Sequence, residues 1–113
     1  MKTRIILPDT DGISEAGAIL RSGGLVAFPT ETVYGLGANA LDATATKHIY
    51  EAKGRPSDNP MIVHVASIDM LNGVASGVTD AQKAIMSKLW PGPITFVLRK
   101  NPAVPDVTTG GLD

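Results

Sequence analysis

Two stretches decide how this chain folds: FPTETVYGLGANA at residues 28–40 and EAKGRPSDNPMIVHV at residues 51–65. Each stretch joins a short apolar segment to a loop rich in threonine, glycine, proline, lysine, arginine or asparagine. Because one helical segment separates the stretches, their loops can meet at one edge of a sheet. The pattern predicts a small-molecule site built from these two loops.

The composition indicates a single soluble globular domain. Of the 113 residues, 43% are hydrophobic and 19% are charged, and the formal net charge is −1, as is typical of folded soluble chains. The charges are scattered, whereas a large nucleic-acid interface usually shows clustered basic residues. The sequence has no cysteine, which excludes disulfides, thiolate metal sites and a cysteine nucleophile. It also has no metal-spaced histidine pair, so no metal ligands are predicted.

The start of the chain does not resemble a targeting segment. Its apolar run before Pro8 covers only residues 5–7, which is too short for the apolar part of a signal peptide. No stretch approaches the roughly 18 consecutive apolar residues of a membrane span. We therefore expect a cytoplasmic protein that does not contact a membrane.

Strand-like and helix-like segments alternate along the chain. Short apolar runs predict strands at residues 3–7, 25–28, 61–65 and 94–98. Polar N-cap residues predict helix starts at Ser14, Asp42, Ser67 and Thr79. This alternation predicts an α/β fold. Because so small a sheet would leave an apolar edge uncovered, we expect residues 1–113 to be one incomplete domain whose C-terminal part is missing.

A glycine motif admits two interpretations. Gly35, Gly37 and Ala40 match the loose dinucleotide-binding fingerprint, and Asp58 follows about 20 residues later. In that fold, however, the acid ends a strand, whereas Asp58 precedes one. We therefore interpret the glycines as residues that allow backbone turns beside a ligand.

Two cationic residues and one asparagine lie close together in the sequence near the end of the second predicted helix. Lys53 and Arg55 there are consistent with solvated cations favoured by the helix dipole. Asn59 follows in a proline-containing loop, so the same residues are also consistent with held donors for a polyphosphate.

Thr30 and Thr32 directly follow the strand predicted at residues 25–28. Open α/β sheets bind ligands at such positions, although the hydroxyls of a plain turn would look the same. His64 interrupts an apolar run, where a satisfied core histidine and a ligand-binding one are both consistent with the pattern.

Three motifs together resemble a known family. They are GGLVAFPTETVYGLG at residues 23–37, KGRP at residues 53–56 with the Asn-Pro that follows, and WPGPIT at residues 90–95. In type, order and spacing they are similar to the YrdC-like family of threonylcarbamoyl-AMP synthases, over residues 13–113. The resemblance implies a twisted mixed β-sheet flanked by helices, around a large, positively lined cavity.

The resemblance also implies a reaction. L-Threonine and bicarbonate would give a carbamate that attacks the α-phosphate of ATP to yield threonylcarbamoyl-adenylate and pyrophosphate. A bound Mg²⁺ is expected to assist this reaction. Downstream transfer proteins would then use the adenylate to modify tRNA adenosine 37.

Residue roles follow from the same resemblance. Lys53 and Arg55 match the catalytic pair, and Arg55 with Asn59 matches ATP-binding positions. Thr32 and His64 match threonine-binding positions. Thr30 and Tyr34 are expected to support the binding of threonine. In the family a Val-Arg strand and a later Ser-x-Asn motif follow the Gly-Leu-Asp that is found here at residues 111–113, so we expect roughly half of the site.

Two other functions remain open from the sequence. One is a module that binds double-stranded RNA or tRNA, which scattered basic residues argue against. The other is the carbamoyl-adenylate-handling domain of a hydrogenase-maturation carbamoyltransferase. Such chains carry further segments upstream, whereas here Met1 lies only about 20 residues before the first motif, which favours a stand-alone synthase.

Overall fold

The computed structural model describes residues 3–54 and 60–111. In chain order the elements are α1 (Thr10–Arg21), β1 (Val26–Phe28), β2 (Gly35–Gly37), α2 (Ala43–Lys53), α3 (Ile68–Leu71) and α4 (Asp80–Leu89). Helices and a small sheet occur in one chain, so the predicted α/β class is confirmed. In the described ranges, no helix is long and apolar enough to cross a membrane.

Local side-chain hydrogen bonds fix most helix starts. Asp42, Ser67 and Thr79 each accept a bond from the backbone N–H three residues on, and the three predicted N-caps are confirmed. The prediction at Ser14 is wrong, because α1 already begins after Asp9, whose Oδ1 accepts the Gly12 N–H at 2.7 Å. A charged carboxylate is a stronger acceptor than a serine hydroxyl, so the helix starts earlier.

The strands β1 and β2 form an antiparallel ribbon. Val26 lies opposite Gly37, and Phe28 lies opposite Gly35. The strand predicted at residues 25–28 is confirmed as β1, whereas residues 35–37 look like a loop in the sequence. Glycine has low strand propensity, but the hydrogen bonds to β1 satisfy this backbone and the strand forms.

The strands predicted at residues 3–7, 61–65 and 94–98 are wrong, since the structure forms no ladder there within its described ranges. Burial does alternate along residues 61–65, as it does in a strand with one buried face. A strand, however, also needs a neighbour that pairs with its N–H and C=O groups. The contacts here are single ones, such as the Met61 N–H on the Thr108 carbonyl at 2.9 Å.

The buried side chains form two groups. In one, Leu71, Ala75 and Met86 pack together around α3 and α4. The other group joins α2 to the turns near the end of the chain, where Thr46 contacts Thr108 and the Tyr50 hydroxyl bonds to the Val107 carbonyl. Ala52, which the periodicity of α2 predicts to face the core, is exposed, because the buried face of α2 includes Thr46 and Tyr50 instead.

Candidate functional site

A large cavity lies beside the loop that follows β1. Its volume is about 1270 Å³, which exceeds the roughly 300–1,000 Å³ of most small-ligand sites. Its wall is mainly apolar and comes largely from the extended segments 60–68 and 90–98. Among its polar residues are Thr30, Glu31, His64 and Lys100. The cavity is large enough for two small substrates.

An aromatic pair joins β1 to the wall of this cavity. The rings of Phe28 and His64 meet edge to face, with centroids 6.3 Å apart and an interplanar angle of 80°. Such a pair contributes about 0.5–1.5 kcal/mol beyond the burial of its area. Because His64 is exposed at the cavity, its interpretation as a core histidine is wrong, and the ligand-binding role stays a prediction.

Two glycines of β2 make room for the Phe28 ring. A Cβ atom at Gly37 would lie 2.8 Å from Phe28 Cε1, and one at Gly35 would lie 3.4 Å from Phe28 Cε2. Neither glycine has a positive φ. The interpretation that these glycines allow special backbone turns is therefore wrong, because what they supply is space beside the ring.

The turn after β1 brings Thr30 to the cavity. Thr30 Oγ1 accepts the Thr32 N–H at 3.3 Å and donates to the Val33 carbonyl. The plain-turn interpretation is therefore confirmed for Thr30. Thr30 also lines the cavity, and its ligand-binding role stays a prediction. Thr32 is exposed in the same turn and is not among the lining residues.

Tyr34 lies beside a different, smaller cleft of about 360 Å³, which Arg4, Ala27 and Pro29 also line. Successive side chains of a strand point to opposite faces, so Ala27 and Phe28 face opposite sides of the ribbon. The two predicted supporting residues are therefore separated, with Thr30 at the large cavity and Tyr34, which is 75% exposed, at the small cleft.

The predicted ATP side begins at the end of α2. Lys53 occupies the last helical turn and is exposed, and Gly54 ends the helix with a φ of 65°. Lys53 is not among the residues that line either cavity. Arg55 and Asn59 lie outside the described residues, as does Asp58. Of the predicted residues, the structure thus brings Thr30 and His64 together and leaves Lys53 on another element.

Lys100 is a cavity residue that the sequence analysis does not identify. Its side chain is 16% exposed, and its Nζ lies 3.2 Å from the Val104 carbonyl and 3.3 Å from Asp106 Oδ1. When the alternation along residues 94–98 is continued by two residues, it places Lys100 on the half-buried face with Phe96 and Leu98.

The charges at the cavity are balanced within the described lining, where Lys100 is the cation and Glu31 the anion. The positive lining that the resemblance implies is thus not a property of these residues. Within residues 3–54 and 60–111, no three His, Asp or Glu side chains are grouped so that they could hold a metal ion.

Comparison of the sequence with known proteins identifies a matching family and several relatives. Residues 18–113 match the family model Sua5_yciO_yrdC, described as "Telomere recombination". The threonylcarbamoyl-AMP synthases of Pyrococcus abyssi (strain GE5 / Orsay) and Bacillus subtilis (strain 168) are 56% identical over 98 residues and 52% identical over 102 residues. The alignments cover 87% and 89% of this chain but 29% and 30% of those proteins. The chain therefore spans less than a third of the length of these relatives.

Solved structures agree with the sequence relatives. The crystal structure of P. abyssi Sua5 complexed with L-threonine has a TM-score of 0.86 and 52% identity, and the match covers 98% of this chain and 32% of that one. The solution structure of the MTH1692 protein from Methanobacterium thermoautotrophicum has a TM-score of 0.68 and 38% identity, over 99% of this chain and 53% of that one. The similarity in backbone and in sequence extends over nearly the whole chain.

Proposed function

Because this chain belongs to the Sua5/YciO/YrdC family, we propose that it forms the L-threonine side and part of the ATP side of a threonylcarbamoyl-AMP synthase. One observation carries the proposal: Thr30 and His64 share the wall of one cavity. The fold that holds them superposes on a relative whose crystal structure contains L-threonine.

The wall around His64 suits an amino acid. A neutral imidazole offers one N–H donor and one acceptor nitrogen, which match the carboxylate and the hydroxyl of L-threonine. The edge-to-face contact with Phe28 restrains the ring, so less freedom is lost when the ligand binds. The apolar part of the wall accommodates the methyl group, and we assign a second hydroxyl contact to Thr32 in the adjoining turn.

The proposed reaction has two steps. The amino group of L-threonine and bicarbonate combine with loss of water to form a carbamate. A carbamate oxygen then bonds to the α-phosphorus of ATP as the bond to the bridging oxygen breaks, and pyrophosphate leaves. We assign Lys53 and Arg55 to the neutralisation of charge on the phosphates, and Arg55 and Asn59 to the binding of ATP.

Magnesium would enter with ATP. The ion usually binds through one or two carboxylates and the phosphates of a substrate, and the described residues contain no group of three acidic or histidine side chains that would form a complete site. We assign the cations Lys53 and Arg55 to the same phosphates.

The adenylate product is a reactive mixed anhydride, so we expect it to pass to proteins that transfer the threonylcarbamoyl group to tRNA adenosine 37. This role predicts a cytoplasmic location, where tRNA is modified.

Pyrophosphate release from ATP tests the proposal. We would measure it for the chain alone and for a hybrid synthase, defined as the P. abyssi synthase with this full chain in place of the segment that it matches. The hybrid is needed because the chain spans only 29% of that relative. We expect the hybrid to release pyrophosphate only when both L-threonine and bicarbonate are present.

Omission of each substrate supplies the control. Release that does not depend on L-threonine would overturn the substrate assignment. A folded hybrid that releases no pyrophosphate, beside an active P. abyssi parent assayed in parallel, would overturn the proposal that this chain carries the family's chemistry.

A further inference from the structure

The residues that we assign to ATP and to L-threonine lie on different elements, so contacts between these elements must hold the two substrates at a fixed separation. Lys53 is in the last turn of α2, and His64 is in the extended segment 61–65 at the cavity. Among the residues that the structure describes, hydrogen bonds from two neighbouring residues of a late turn, Val107 and Thr108, reach both elements.

Thr108 is fully buried and binds three parts of the chain. Its Oγ1 lies 2.8 Å from the Ala40 carbonyl oxygen and 3.3 Å from Thr46 Oγ1. Because a hydroxyl carries one proton, Thr108 donates to Ala40, at the shorter distance. The Thr46 hydroxyl of α2 lies within hydrogen-bond distance of both Thr108 Oγ1, at 3.3 Å, and the Asn39 carbonyl oxygen, at 3.4 Å. Its own carbonyl oxygen accepts the N–H of Met61 at 2.9 Å, and Met61 begins the segment that carries His64.

The preceding carbonyl provides a second connection to α2. The hydroxyl of Tyr50 donates to the Val107 carbonyl oxygen at 3.0 Å, and Tyr50 is itself only 5% exposed. Tyr50 lies three residues before Lys53, within the same last turns of α2. Successive carbonyls of one turn therefore hold the helix of Lys53 on one side and the segment of His64 on the other.

We propose that Thr108 is a positioning residue that sets the placement of the α2 helix relative to the His64 segment, and so aligns bound L-threonine with bound ATP. The inference rests on the proposed function. Thr108 touches neither substrate in this scheme, because its side chain is buried, with 1% relative exposure, against Ala40 and Thr46. Its effect passes through Met61 and Thr46.

Alignment and binding respond differently to the loss of this hydroxyl. In Thr108→Val the side chain keeps its shape, but the Ala40 carbonyl loses its donor and the Thr46 hydroxyl loses one of its two partners. The turn shifts to relieve the unpaired Ala40 carbonyl. Each substrate keeps its own contacts, whereas a displacement of about 1 Å between reacting groups can cost up to about 100-fold in rate.

We would measure kcat and KM for both substrates in the hybrid synthase. We expect Thr108→Val to lower kcat at least tenfold while both KM values change less than about twofold, and Thr108→Ser, which keeps the hydroxyl, to restore most of the rate. Thr44→Val is the matched control, since Thr44 is an exposed threonine of α2. An unchanged kcat in folded Thr108→Val, or a serine variant as slow as the valine variant, would refute the proposal.

Amide hydrogen exchange gives a second readout that does not require turnover. The Met61 N–H bonds to the Thr108 carbonyl, so we expect Thr108→Val to speed its exchange at least tenfold relative to amides of α4. Unaltered exchange would count against the positioning role, even if the hybrid made no adenylate. If Thr108→Val does not fold, Thr46→Val removes the hydrogen bond between Thr46 and Thr108 from the α2 side. This variant is then judged by the same measurements.

Discussion

A methyl group added at Gly37 would push against the ring of Phe28. In Gly37→Ala the new Cβ would lie 2.8 Å from Phe28 Cε1, about 0.6 Å inside the 3.4 Å at which ordinary contact begins. Overpacking of this kind costs about 1–3 kcal/mol. Because the backbone at Gly37 lacks a positive φ, alanine also lowers the entropy of the unfolded chain and returns about 0.4–1 kcal/mol. We expect a net destabilisation of about 1–2 kcal/mol.

The same change should disturb the substrate site. The Phe28 ring can move away from the new methyl group only by altering its edge-to-face contact with His64, whose ring centroid lies 6.3 Å away. We therefore expect Gly37→Ala to weaken L-threonine binding severalfold. Gly35→Ala is the matched control, because its Cβ would meet Thr30 Cγ2 and the Phe28 ring at 3.3–3.4 Å, which is at the edge of ordinary contact.

Urea unfolding and calorimetric titration of L-threonine, both on the hybrid synthase, check these two expectations. Equal stability of the two alanine variants would show that the Phe28 ring is not confined above Gly37. A destabilised Gly37→Ala that binds L-threonine normally would separate Phe28 from the placement of His64.

Three further predictions concern the two substrate sides and α4. Lys53→Ala should lower the rate of adenylate formation by about 10²–10³, as loss of a charge-stabilising group does, with L-threonine affinity unchanged because we assign Lys53, in the last turn of α2, to the phosphates of ATP; normal turnover would remove Lys53 from the mechanism. Thr32→Ala should raise the KM for L-threonine about two- to tenfold, the worth of one hydrogen bond, and that for ATP less; the reverse ranking would assign this turn to the nucleotide. Thr79→Ala should destabilise the protein by about 1 kcal/mol in urea titrations, since it removes the capping box of α4, and Thr79→Ser should not.

Local interactions are the part of this fold that the sequence predicts well. The N-caps at Asp42, Ser67 and Thr79 each depend on a bond to a backbone N–H three residues away, so the necessary information is contained in four consecutive residues. The cap at Asp9 follows the same rule, but Ser14 also fits the pattern, and the sequence alone does not decide between them. Strand prediction is less secure, because an extended segment such as residues 61–65 becomes a strand only when another segment pairs with it.

The residues that hold the site together leave little trace in the local sequence. Thr108 bonds to Ala40, Thr46 and Met61, all of them distant along the chain, and a threonine in a loop rich in proline and glycine looks like any turn residue. The shared cavity of Thr30 and His64 likewise depends on the folded backbone. The motifs indicate the family and so point to these residues, but the spacing of the motifs alone does not place the residues in one wall.

The two glycines of β2 show how a correct motif can support a wrong mechanism. Gly35 and Gly37 attract attention because glycine often marks a tight turn or a phosphate-binding loop. Here they sit in a strand, and both lack a positive φ, so alanine could adopt the same backbone. What alanine cannot do at Gly37 is leave room for the Phe28 ring, which in turn contacts His64. The lack of a side chain at Gly37 therefore affects the proposed threonine site indirectly, through the position of the Phe28 ring.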